Sequence, residues 1–453
     1  MANMPRRDFV RASALASTTL WVKGRAWAQG PAPNTKIRVG MIGVGGRGGN
    51  HLEPMQGEHV VALCDVDDNT LAKAAKMYPE AKHYFDYREM IANEKLDAVV
   101  VAIPDHNHAP AAMMALKKKL HVYCEKPLTH SIHEARMLTQ AAKEAGVVTQ
   151  MGNQGHSMKG VRQVIEIVRT GVIGTVKSVH CWTNRPIWPQ GLDRPAAKPV
   201  PAGLHWDQWL GPAPERPYQD NLHPFAWRGW WDFGTGALGD MACHVMDQAY
   251  WSLELGHPVA VEAKGDPRKP ESAPNWETVT LDYPARGNWP AIQVTWYDGL
   301  TEITGTDKGG KRERPKGVRN LPPADLAPGE DLSKHECGTL FVGEKGTLLV
   351  HDAYGANLKM LGKGFEGYKL PEPTIVPEST GDPRSEWLQA IHAGKQAGSN
   401  FGYAGPFTES ILVGVVAFRT GKKLEWDAAA MKAKGCPEAD KYIKREYRKG
   451  WTL

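Results

Sequence analysis

The sequence is poor in cysteine, in net charge and in long apolar runs, and each shortage excludes a class of protein. Its 453 residues include six cysteines, none of them in a C-x-x-C pair. A disulfide-built scaffold and a cysteine zinc site are therefore not expected, and we predict buried free thiols instead. The chain also lacks an H-E-x-x-H motif, so we predict no bound metal.

Charge is scarce as well, since the formal net charge is only +5. Most of this excess comes from the first 28 residues, which hold five cationic side chains and one acidic one. The rest of the chain is nearly neutral and lacks the basic footprint of a nucleic-acid-binding protein. After residue 28, no run approaches the roughly 20 apolar residues of a membrane span. We therefore predict neither a nucleic-acid partner nor a membrane association of the mature protein.

The first 28 residues contain the three parts of an export signal in the right order. Paired arginines lie in "PRRDFVRAS", a weakly apolar stretch follows at 12–22, and "AWA" ends at Ala28 in an A-x-A cleavage pattern. This order predicts a twin-arginine signal peptide over 1–28 and a periplasmic or otherwise exported mature protein. A basic tail with an accidental arginine pair is the alternative.

A chain of 453 residues is too long for one ordinary core, so two domains are expected. From residue 36 to 155, apolar β-branched runs alternate with segments of helical pattern. The predicted strands are "KIRVGMIG", "HVVALCDVD", "LDAVVVAIP", "LHVYCEKP" and "GVVTQMG". This alternation predicts an α/β fold with a doubly wound parallel sheet, whose ligand lies beyond the carboxyl ends of the strands.

The region 156–453 follows a different pattern. The strand "TVKSVHCWTN" precedes a Pro- and Trp-rich passage at 185–235, and a helix is predicted over about 237–253. Later strand-like runs, "ETVTLDYP", "AIQVTWYDG" and "GTLLVHD", are separated by Gly- and Pro-rich connections. A long polar loop is predicted over 305–335 and a terminal helical region over 383–420. These features favour an antiparallel or mixed sheet.

A glycine-rich turn follows the first predicted strand. "GVGGRG" opens a helix, and Asp65 ends the second strand 22 positions after Gly43. Glycines let the backbone approach a pyrophosphate, and the acidic residue takes the ribose hydroxyls, so we predict a bound dinucleotide. NAD is favoured over NADP because Asp65 and Asp67 place negative charge where a 2′-phosphate would lie. The predicted cofactor residues here are Gly43, Gly45, Gly46, Arg47, Gly48 and Asp65. A glycine-rich turn that binds nothing is the alternative.

The stretch "GDMACHVMD" gathers one imidazole and two carboxylates. Asp240, His244 and Asp247 recur at spacings of four and three residues, so a helix would place them on one face. Acid–base chemistry, half of a metal site and a buried histidine with an acidic partner are all compatible with this face. The metal alternative needs a second histidine from elsewhere in the fold and is disfavoured.

A further motif, "EKP" at 125–127, ends the fourth predicted strand. With this motif, the chain resembles the Gfo/Idh/MocA oxidoreductase family over nearly its whole mature length. The other motifs that carry the resemblance are "GVGGRG", Asp65, "AIPDHNHAP" at 102–110 and "GDMACHVMD". The resemblance implies an N-terminal Rossmann domain, 36–155, and a C-terminal α/β domain, 156–453, with a large open, predominantly antiparallel sheet. It also implies sugar, polyol, inositol or glycoside substrates, and we expect a homodimer or homotetramer.

The resemblance further implies that Lys126 reaches the reacting hydroxyl beside the nicotinamide, with Asp240 and His244 completing the catalytic group. Oxidation of a secondary alcohol needs a base for the hydroxyl proton while hydride leaves. Imidazole has a suitable pKa for that exchange. We therefore predict His244 as the base, Lys126 as the stabiliser of the alkoxide and Asp240 as the orienting group. Asp247 is predicted to support this group or to contact the substrate.

More residues are predicted to act at strand ends and in the Trp-rich passage. Further cofactor contacts are expected from Pro104, Asn107, His108, Glu125, Lys126 and Asn153. Substrate contacts are expected from Lys126, Gln154, His156, Arg228, Trp230, Asp240, His244 and Asp247. Aromatic faces pack on the C–H side of a sugar. Loop capping and tryptophan packing between domains are the alternatives.

Three functions are compatible with these motifs. The first is an NAD(P)-dependent oxidoreductase that acts on a secondary alcohol of a sugar, polyol or glycoside with a cofactor bound tightly before export. The second is an NAD-dependent glycoside hydrolase that works by oxidation, elimination, hydration and reduction, as the resemblance allows, and needs an additional acid–base residue. The third is a non-catalytic sugar- or dinucleotide-binding protein, which the joint presence of Lys126, Asp240 and His244 disfavours.

Overall fold

The computed structural model describes residues 35–307 and 314–453, and the predicted signal peptide lies outside these residues. The first part of the described chain builds one sheet. Its strands are β1 (Arg38–Ile42), β2 (His59–Cys64), β3 (Lys82–Tyr84), β4 (Ala98–Val101), β5 (His121–Cys124) and β6 (Thr149–Met151). All pairings are parallel, in the order β3–β2–β1–β4–β5–β6. The predicted doubly wound sheet is therefore confirmed.

Helices connect these strands on both faces of the sheet. They are α1 (Gly49–Leu52), α2 (Asp68–Ala75), α3 (Tyr87–Asn93), α4 (Asp105–Lys117) and α5 (Ile132–Ala145). β4 is buried at every position, as expected for a strand covered on both faces. The sequence pattern misses β3 because this strand has only three residues, two of them exposed.

The second sheet contains ten strands among the described residues. They are β7 (Val176–Thr183), β8 (Ala260–Gly265), β9 (Trp276–Tyr283), β10 (Ile292–Asp307), β11 (Arg314–Arg319), β12 (Cys337–Gly343), β13 (Thr347–Val350), β14 (Leu358–Leu361), β15 (Leu424–Asp427) and β16 (Lys432–Lys434). The order is β14–β13–β12–β7–β10–β9–β8–β15–β16, with β11 beside β10. Only β7 and β10 pair in parallel within this sheet, so the predominantly antiparallel expectation is confirmed.

The second region differs from the sequence predictions in three places. Its helices are α6 (Lys159–Arg169), α7 (Trp206–Leu210), α8 (Gly236–Val245), α9 (Asp247–Ser252), α10 (Pro383–Ala393), α11 (Phe401–Thr420) and α12 (Asp440–Ile443). The helix predicted over 237–253 breaks at Met246, and the region 383–420 is two helices separated by a left-handed Gly394. The predicted loop 305–335 is partly wrong, because β11 pairs with β10. The β10 end of this hairpin is exposed, so it carries no apolar alternation to reveal it.

α11 is the central helix of the fold. It packs against α5 of the first sheet and against α8, so the two regions share an extensive core. By length and composition it is the one described helix able to cross a membrane, but 83% of the tested window is buried inside the structure. Burial of that kind is typical of a core helix in a folded domain. All six cysteines are buried and free, as predicted.

Residues 203–230, here called the cover segment, cross the open ends of the parallel strands. The Asp68 amide donates to the Gly203 carbonyl at 2.9 Å, and the His205 amide donates to the Val66 carbonyl at 2.8 Å. The His205 ring stacks on Phe85 with centroids 4.1 Å apart. Behind this contact the segment forms its own apolar cluster around Trp209, Trp227 and Trp230.

The last ten residues, 444–453, here called the C-terminal tail, return to the first sheet. Arg445 Nε donates to Glu134 Oε1 at 2.7 Å, which anchors the tail to the start of α5. Arg448 Nη1 donates to Asp207 Oδ1 of the cover segment at 2.6 Å. The tail thus ties the cover segment to the Rossmann domain and brings Trp451 to the edge of the cavity described below.

Candidate active site

A cavity of about 460 Å³ lies at the carboxyl ends of the parallel strands. This volume is in the roughly 300–1,000 Å³ range usual for small-molecule and cofactor sites. The glycine loop and "EKP" form its inner wall, while the cover segment and Trp451 close its outer side. The position is the one expected of a ligand site in a doubly wound sheet.

The glycine loop has a shape that side chains would obstruct. Gly43 has φ +80°, and a Cβ there would lie 2.3 Å from the Ala102 carbonyl oxygen. A Cβ on Gly48 would lie 2.2 Å from the Gly43 oxygen, so the turn closes only on glycine. Gly46 has φ +50° and open space beside it, facing the cavity. The loop therefore fits the close approach of a dinucleotide pyrophosphate.

Asp65 follows β2 and lines the same cavity. Its carboxylate accepts from the Val44 amide at 2.9 Å and from the Asp67 amide at 3.0 Å, which fixes it beside the glycine loop. Burial raises the pKa of Asp65, although these hydrogen bonds oppose the rise. A buried carboxyl at this point suits ribose hydroxyls and disfavours a 2′-phosphate, in agreement with the sequence prediction of NAD.

Glu125 joins the glycine loop to "EKP". Its Oε1 accepts from Arg47 Nε and from His51 Nε2, each at 2.9 Å. Burial alone would raise the pKa of Glu125, but His51 and Arg47 hold it well below its usual range. A Cβ on Gly152 would lie 2.6 Å from this carboxylate, so the end of β6 packs tightly against it. Glu125 is thus a permanent anion that fixes the floor of the cavity.

Lys126 reaches across to the substrate domain. Its Nζ donates to Asp240 Oδ1 at 2.8 Å and to the Asp240 carbonyl at 2.9 Å. Arg228 Nε donates to the same Oδ1 at 3.0 Å, so one carboxylate holds two cations. Burial alone would raise the pKa of Asp240, but Lys126 and Arg228 hold it well below its usual range. Lys126 and Arg228 both line the cavity.

Asp240 therefore orients Lys126 and Arg228, and the structure shows no hydrogen bond from it to His244. His244 lies one turn later on α8 and is 6% exposed. Burial, assisted by Lys126, lowers the pKa of His244 to about 3, so its imidazole is neutral near pH 7. Its Nδ1 has no hydrogen-bond partner. A neutral imidazole beside Lys126 is in the form that can accept a proton.

Tyr354 is a site residue that the sequence patterns miss. It lies in the β13–β14 connection and meets the His244 ring edge-on, with centroids 5.4 Å apart. Asp352 accepts from the backbone amides of Tyr354 and Asn357 and so shapes this loop. Lys126 and Arg47 are close enough to affect the pKa of Tyr354, which burial raises. No local motif marks it, because the contact joins segments 110 residues apart in sequence.

Asp105 is a second residue that the sequence patterns miss. It begins α4, is 3% exposed and lines the cavity with Lys126 and Arg228. Thr235 Oγ1 donates to its Oδ2 at 3.2 Å from the turn before α8. Burial raises the pKa of Asp105 to about 7, although Lys126 and Arg228 oppose the rise. The available signal is its place directly after Pro104, at the end of a parallel strand.

Nine predicted site residues are outside the cavity lining: Gly48, His108, Asn153, Gln154, His156, Trp230, Asp240, His244 and Asp247. Four of these, His108, His156, Trp230 and Asp247, have their contacts within the core. His108 places Nδ1 2.8 Å from the Pro127 carbonyl and Nε2 2.7 Å from the Ile103 carbonyl, so it positions the loops that carry Lys126 and Pro104. Trp230 is fully buried and donates to the Asn221 carbonyl, which makes it a packing residue of the cover segment. These placements give no support to the predicted cofactor contact of His108 or to the predicted substrate contact of Trp230.

Asp247 and His156 form a pair that also lies outside the cavity lining. Asp247 begins α9 beyond the helix break, and its Oδ2 lies 3.0 Å from His156 Nδ1. Tyr403 donates to Asp247 Oδ1 at 2.7 Å, and the His156 ring stacks on Trp251 with centroids 3.8 Å apart. The predicted single face is therefore divided, because tertiary contacts turn Asp247 toward the core. Neither residue lines the cavity, so the structure gives no support to their predicted substrate contacts.

The remaining predicted contacts lie near the cavity in different ways. Pro104 and Asn107 line it, and Asn107 Nδ2 donates to the Trp209 carbonyl of the cover segment at 3.2 Å. Gln154 lies against Arg47, whose Nη2 donates to its amide oxygen at 2.9 Å in the orientation that satisfies both groups. Asn153 is buried with both amide atoms unpartnered, so it is free to bond a ligand. No cluster of three metal-ligating side chains occurs within 35–307 or 314–453.

Known proteins share parts of this chain. Inositol 2-dehydrogenase of Salmonella typhimurium is 31% identical over 150 residues, 32% of this chain and 45% of that protein. A glycosyl hydrolase family 109 protein of Shewanella sp. is 27% identical over 204 residues, 38% of this chain and 44% of that protein. The chain thus matches less than half the length of these relatives.

A solved structure extends the likeness to the whole fold. The WlbA dehydrogenase from Bordetella pertussis, in complex with NADH and UDP-GlcNAcA, superposes with a TM-score of 0.58 at 18% identity. The superposition covers 86% of this chain and 99% of that one. At this level of identity it shows a shared architecture.

Sequence models of one family match both regions of the chain. The NAD-binding Rossmann fold of the oxidoreductase family matches residues 37–153, and the C-terminal α/β domain of that family matches 157–299. The first range spans the parallel sheet, and the second ends within β10, before the last strands of the second sheet. Together the two ranges cover more than half of the chain. The chain therefore belongs to the Gfo/Idh/MocA family of oxidoreductases and has an NAD-binding Rossmann domain.

Proposed function

We propose that this protein transfers hydride between a secondary alcohol of a sugar, polyol or glycoside and a tightly bound NAD. The observation that carries the proposal is the pairing of Lys126, from the Rossmann domain, with Asp240, from the substrate domain, at one end of the dinucleotide cavity. The relatives named above include an inositol dehydrogenase and a glycosyl hydrolase, which supports a carbohydrate substrate.

The chain's own residues supply orientation and charge for this reaction. The Lys126 ammonium group has three N–H donors. Two of them bond the Asp240 carboxylate and the Asp240 backbone carbonyl. The third N–H can donate to a substrate oxygen. A cation at that point stabilises the negative charge that develops on the oxygen as its proton leaves. Neutral His244, which is close enough to Lys126 for the lysine to affect its pKa, is the group to which we assign that proton. Bound nicotinamide would supply the hydride acceptor and donor.

Tight retention of the cofactor is part of the proposal. The cover segment and Trp451 form the outer wall of the cavity, and backbone hydrogen bonds anchor the cover segment to the end of β2. A cofactor behind this wall leaves only when the wall opens, which favours re-use within one turnover. Retention also suits an exported enzyme, because a folded protein can carry its cofactor out of the cytoplasm.

Localisation and assembly are proposed on separate grounds. Paired arginines, an apolar stretch and an A-x-A pattern within 1–28 support export by the twin-arginine route. Replacement of Arg6 and Arg7 by lysine should leave the precursor in the cytoplasm, as cell fractionation would show. The broad second sheet supports a homodimer or homotetramer, which light scattering of the mature protein tests directly.

The proposed function is tested on purified mature protein without added cofactor. Denaturation should release close to one NAD(H) per chain. Addition of myo-inositol, free sugars or 4-nitrophenyl pyranosides should then change the absorbance of reduced nicotinamide for at least one compound. Absence of both bound dinucleotide and any cofactor reduction, even with NAD added, would contradict the proposal.

A glycoside hydrolase that works through transient oxidation is the second candidate. Asp105 favours it, because this chemistry needs an acid–base group in addition to the one that serves hydride transfer. Release of nitrophenol without net cofactor reduction would identify this activity. Formation of reduced cofactor without cleavage of the glycosidic bond would identify a simple dehydrogenase.

A further inference from the structure

Two aspartates close to Lys126 and Arg228, Asp105 and Asp240, have different surroundings, and of these two Asp105 lines the cavity. Asp240 is a fixed carboxylate, because it accepts from Lys126 and Arg228. Asp105 has one hydrogen bond, from the neutral hydroxyl of Thr235, and no ion pair among the described contacts. When the surroundings of two titratable groups in one site drive their pKa values apart, the two groups take different acid–base roles.

The ionisation of Asp105 follows from the groups that face it. Lys126, Arg228 and Asp240 contribute charges from three different segments, and the cations are already paired with Asp240. The thiols of Cys124 and Cys243 are close enough for Asp105 to affect their pKa values, and they add no charge near pH 7 because burial raises the pKa of both. Burial thus outweighs the cations and raises the pKa of Asp105 to about 7.

Oxidation of an alcohol to a ketone does not need a second acid–base group, so it gives the Asp105 carboxyl no role. Hydride transfer releases one proton, from the hydroxyl oxygen, and the proposed function assigns that proton to Lys126 and His244. Asp105 lines the same cavity as Lys126, from the start of α4. The oxidised substrate is a ketone, and its newly acidic hydrogens are those on the carbon atoms next to the carbonyl. A carboxyl of intermediate basicity beside the ketone is suited to remove one of them.

We propose that Asp105 is a second catalytic residue, which removes and returns the proton on the carbon next to the carbonyl formed by hydride transfer. This inference rests on the proposed function, since the ketone must form first. In the step, the C–H bond breaks, the proton moves to the Asp105 carboxylate and the electron pair enters a C=C bond of the enolate. Lys126 stabilises the enolate oxygen as it stabilises the alkoxide before it.

The same proton transfer opens a route to bond cleavage in glycosides. If the next carbon bears an oxygen substituent, that C–O bond breaks, the enolate pair re-forms the ketone conjugated to a C=C bond, and the leaving oxygen takes the proton from Asp105. Addition of water across the C=C bond and return of the hydride complete a hydrolysis with no net oxidation. Asp105 therefore is the residue that separates a redox glycosidase from a simple dehydrogenase at this site.

Solvent deuterium exchange tests the proposal. The mature protein with its co-purified cofactor is incubated in D₂O with myo-inositol and with 4-nitrophenyl pyranosides, and recovered compounds are analysed by mass spectrometry and NMR. Wild-type protein should introduce deuterium at the carbon next to the one oxidised. Asp105→Asn should lower this exchange by at least about 100-fold, while cofactor reduction in a single turnover falls less than about tenfold. Asp193→Asn, at an exposed surface aspartate, should change neither rate.

Thr235 variants give a second readout that does not remove the carboxyl. Loss of the hydroxyl in Thr235→Val removes a hydrogen bond that lowers the pKa of Asp105. The exchange rate should rise with pH through about 7 in the wild type, and Thr235→Val should move this rise to higher pH. Thr235→Ser should restore the wild-type profile.

The outcomes are distinct. Cofactor reduction with no exchange in the wild type, or exchange that survives in Asp105→Asn, overturns the role of Asp105 and leaves the hydride transfer intact. No cofactor reduction with any compound overturns the proposed function and this inference with it. Exchange that depends on Asp105 supports both.

Discussion

Lys126 is the residue whose contacts define the reactive end of the cavity, because it joins the Rossmann domain to Asp240 of the substrate domain by an ion pair. Replacement by methionine keeps the length of the side chain and removes the charge. Lys126→Met should lower kcat by about 10²–10³-fold, the loss typical of one electrostatic donor at a developing oxyanion. Steady-state kinetics and the NAD content of the purified variant measure both effects.

The matched control for this variant is Lys82→Met, at a lysine 66% exposed on β3. It should retain wild-type kcat and cofactor content. Activity of Lys126→Met within threefold of the control would remove Lys126 from the chemistry.

His244 makes a second prediction at the residue scale. His244→Ala removes the imidazole beside Lys126 and Tyr354 and should lower turnover by about 10²–10⁴-fold while NAD stays bound. Because burial lowers the pKa of His244 to about 3, its protonation should produce no loss of wild-type activity between pH 7 and pH 5. A pH–rate profile of the hydride-transfer step checks this. Full turnover in His244→Ala would make the imidazole structural.

At the scale of elements, the cover segment controls access to the cofactor. The stacked His205 and Phe85 rings join it to the end of the parallel sheet, and such pairs contribute about 0.5–1.5 kcal/mol. His205→Ala should therefore increase the dissociation rate of NAD by about 2- to 12-fold. Rapid dilution with a fluorescence readout of bound NADH measures that rate.

His83→Ala is the matched control, since His83 is exposed on β3, close in sequence to Phe85. It should release the cofactor at the wild-type rate. Equal rates for His205→Ala and the control would show that the cover segment does not retain NAD.

Local patterns predict most elements of the Rossmann domain and part of the site. β1, the glycine loop, "EKP" and α8 are local in sequence, so periodicity and turn chemistry predict them. Asp105, Tyr354 and Trp451 escape prediction because their positions depend on how distant segments pack. The division of Asp247 from Asp240 has the same origin: His156 and Tyr403 hold Asp247 in the core, and neither contact is visible on a helical wheel.

At the scale of the whole molecule, buried histidines should make the fold sensitive to acid. Burial lowers the pKa of four of them to about 3 or 4: His106, His121, His180 and His244. Unfolded histidine titrates near 6.5, so the unfolded chain binds more protons below that pH and the free energy of unfolding falls. His121 illustrates the cause, because its Nδ1 accepts from the Val148 amide and must remain unprotonated.

Four carboxyls act in the opposite direction, because burial raises the pKa of Asp65, Asp105, Glu277 and Asp298. Burial raises the pKa of Asp105 and of Asp298 to about 7, so the stability from their protonated forms is present at low pH and lost as pH rises through 7. Burial lowers the pKa of ten histidines in all, which outnumber these carboxyls, so the melting temperature should be lower at pH 5 than at pH 7 by calorimetry. Asp105→Asn should enlarge this difference. A melting temperature at pH 5 equal to or above that at pH 7 would contradict the claim that buried histidines dominate the pH dependence of stability.

The transfer of a carbon-bound hydrogen to the retained cofactor is the step on which the proposed function depends. The most direct measurement uses a sugar or polyol carrying deuterium on the carbon that is oxidised, mixed with wild-type protein containing its own NAD. Mass spectrometry should find deuterium on the released cofactor, and cofactor reduction should be slower than with the unlabelled compound. Deuterium that passes to solvent, or a cofactor that never acquires it, would contradict hydride transfer at the Lys126–Asp240 site.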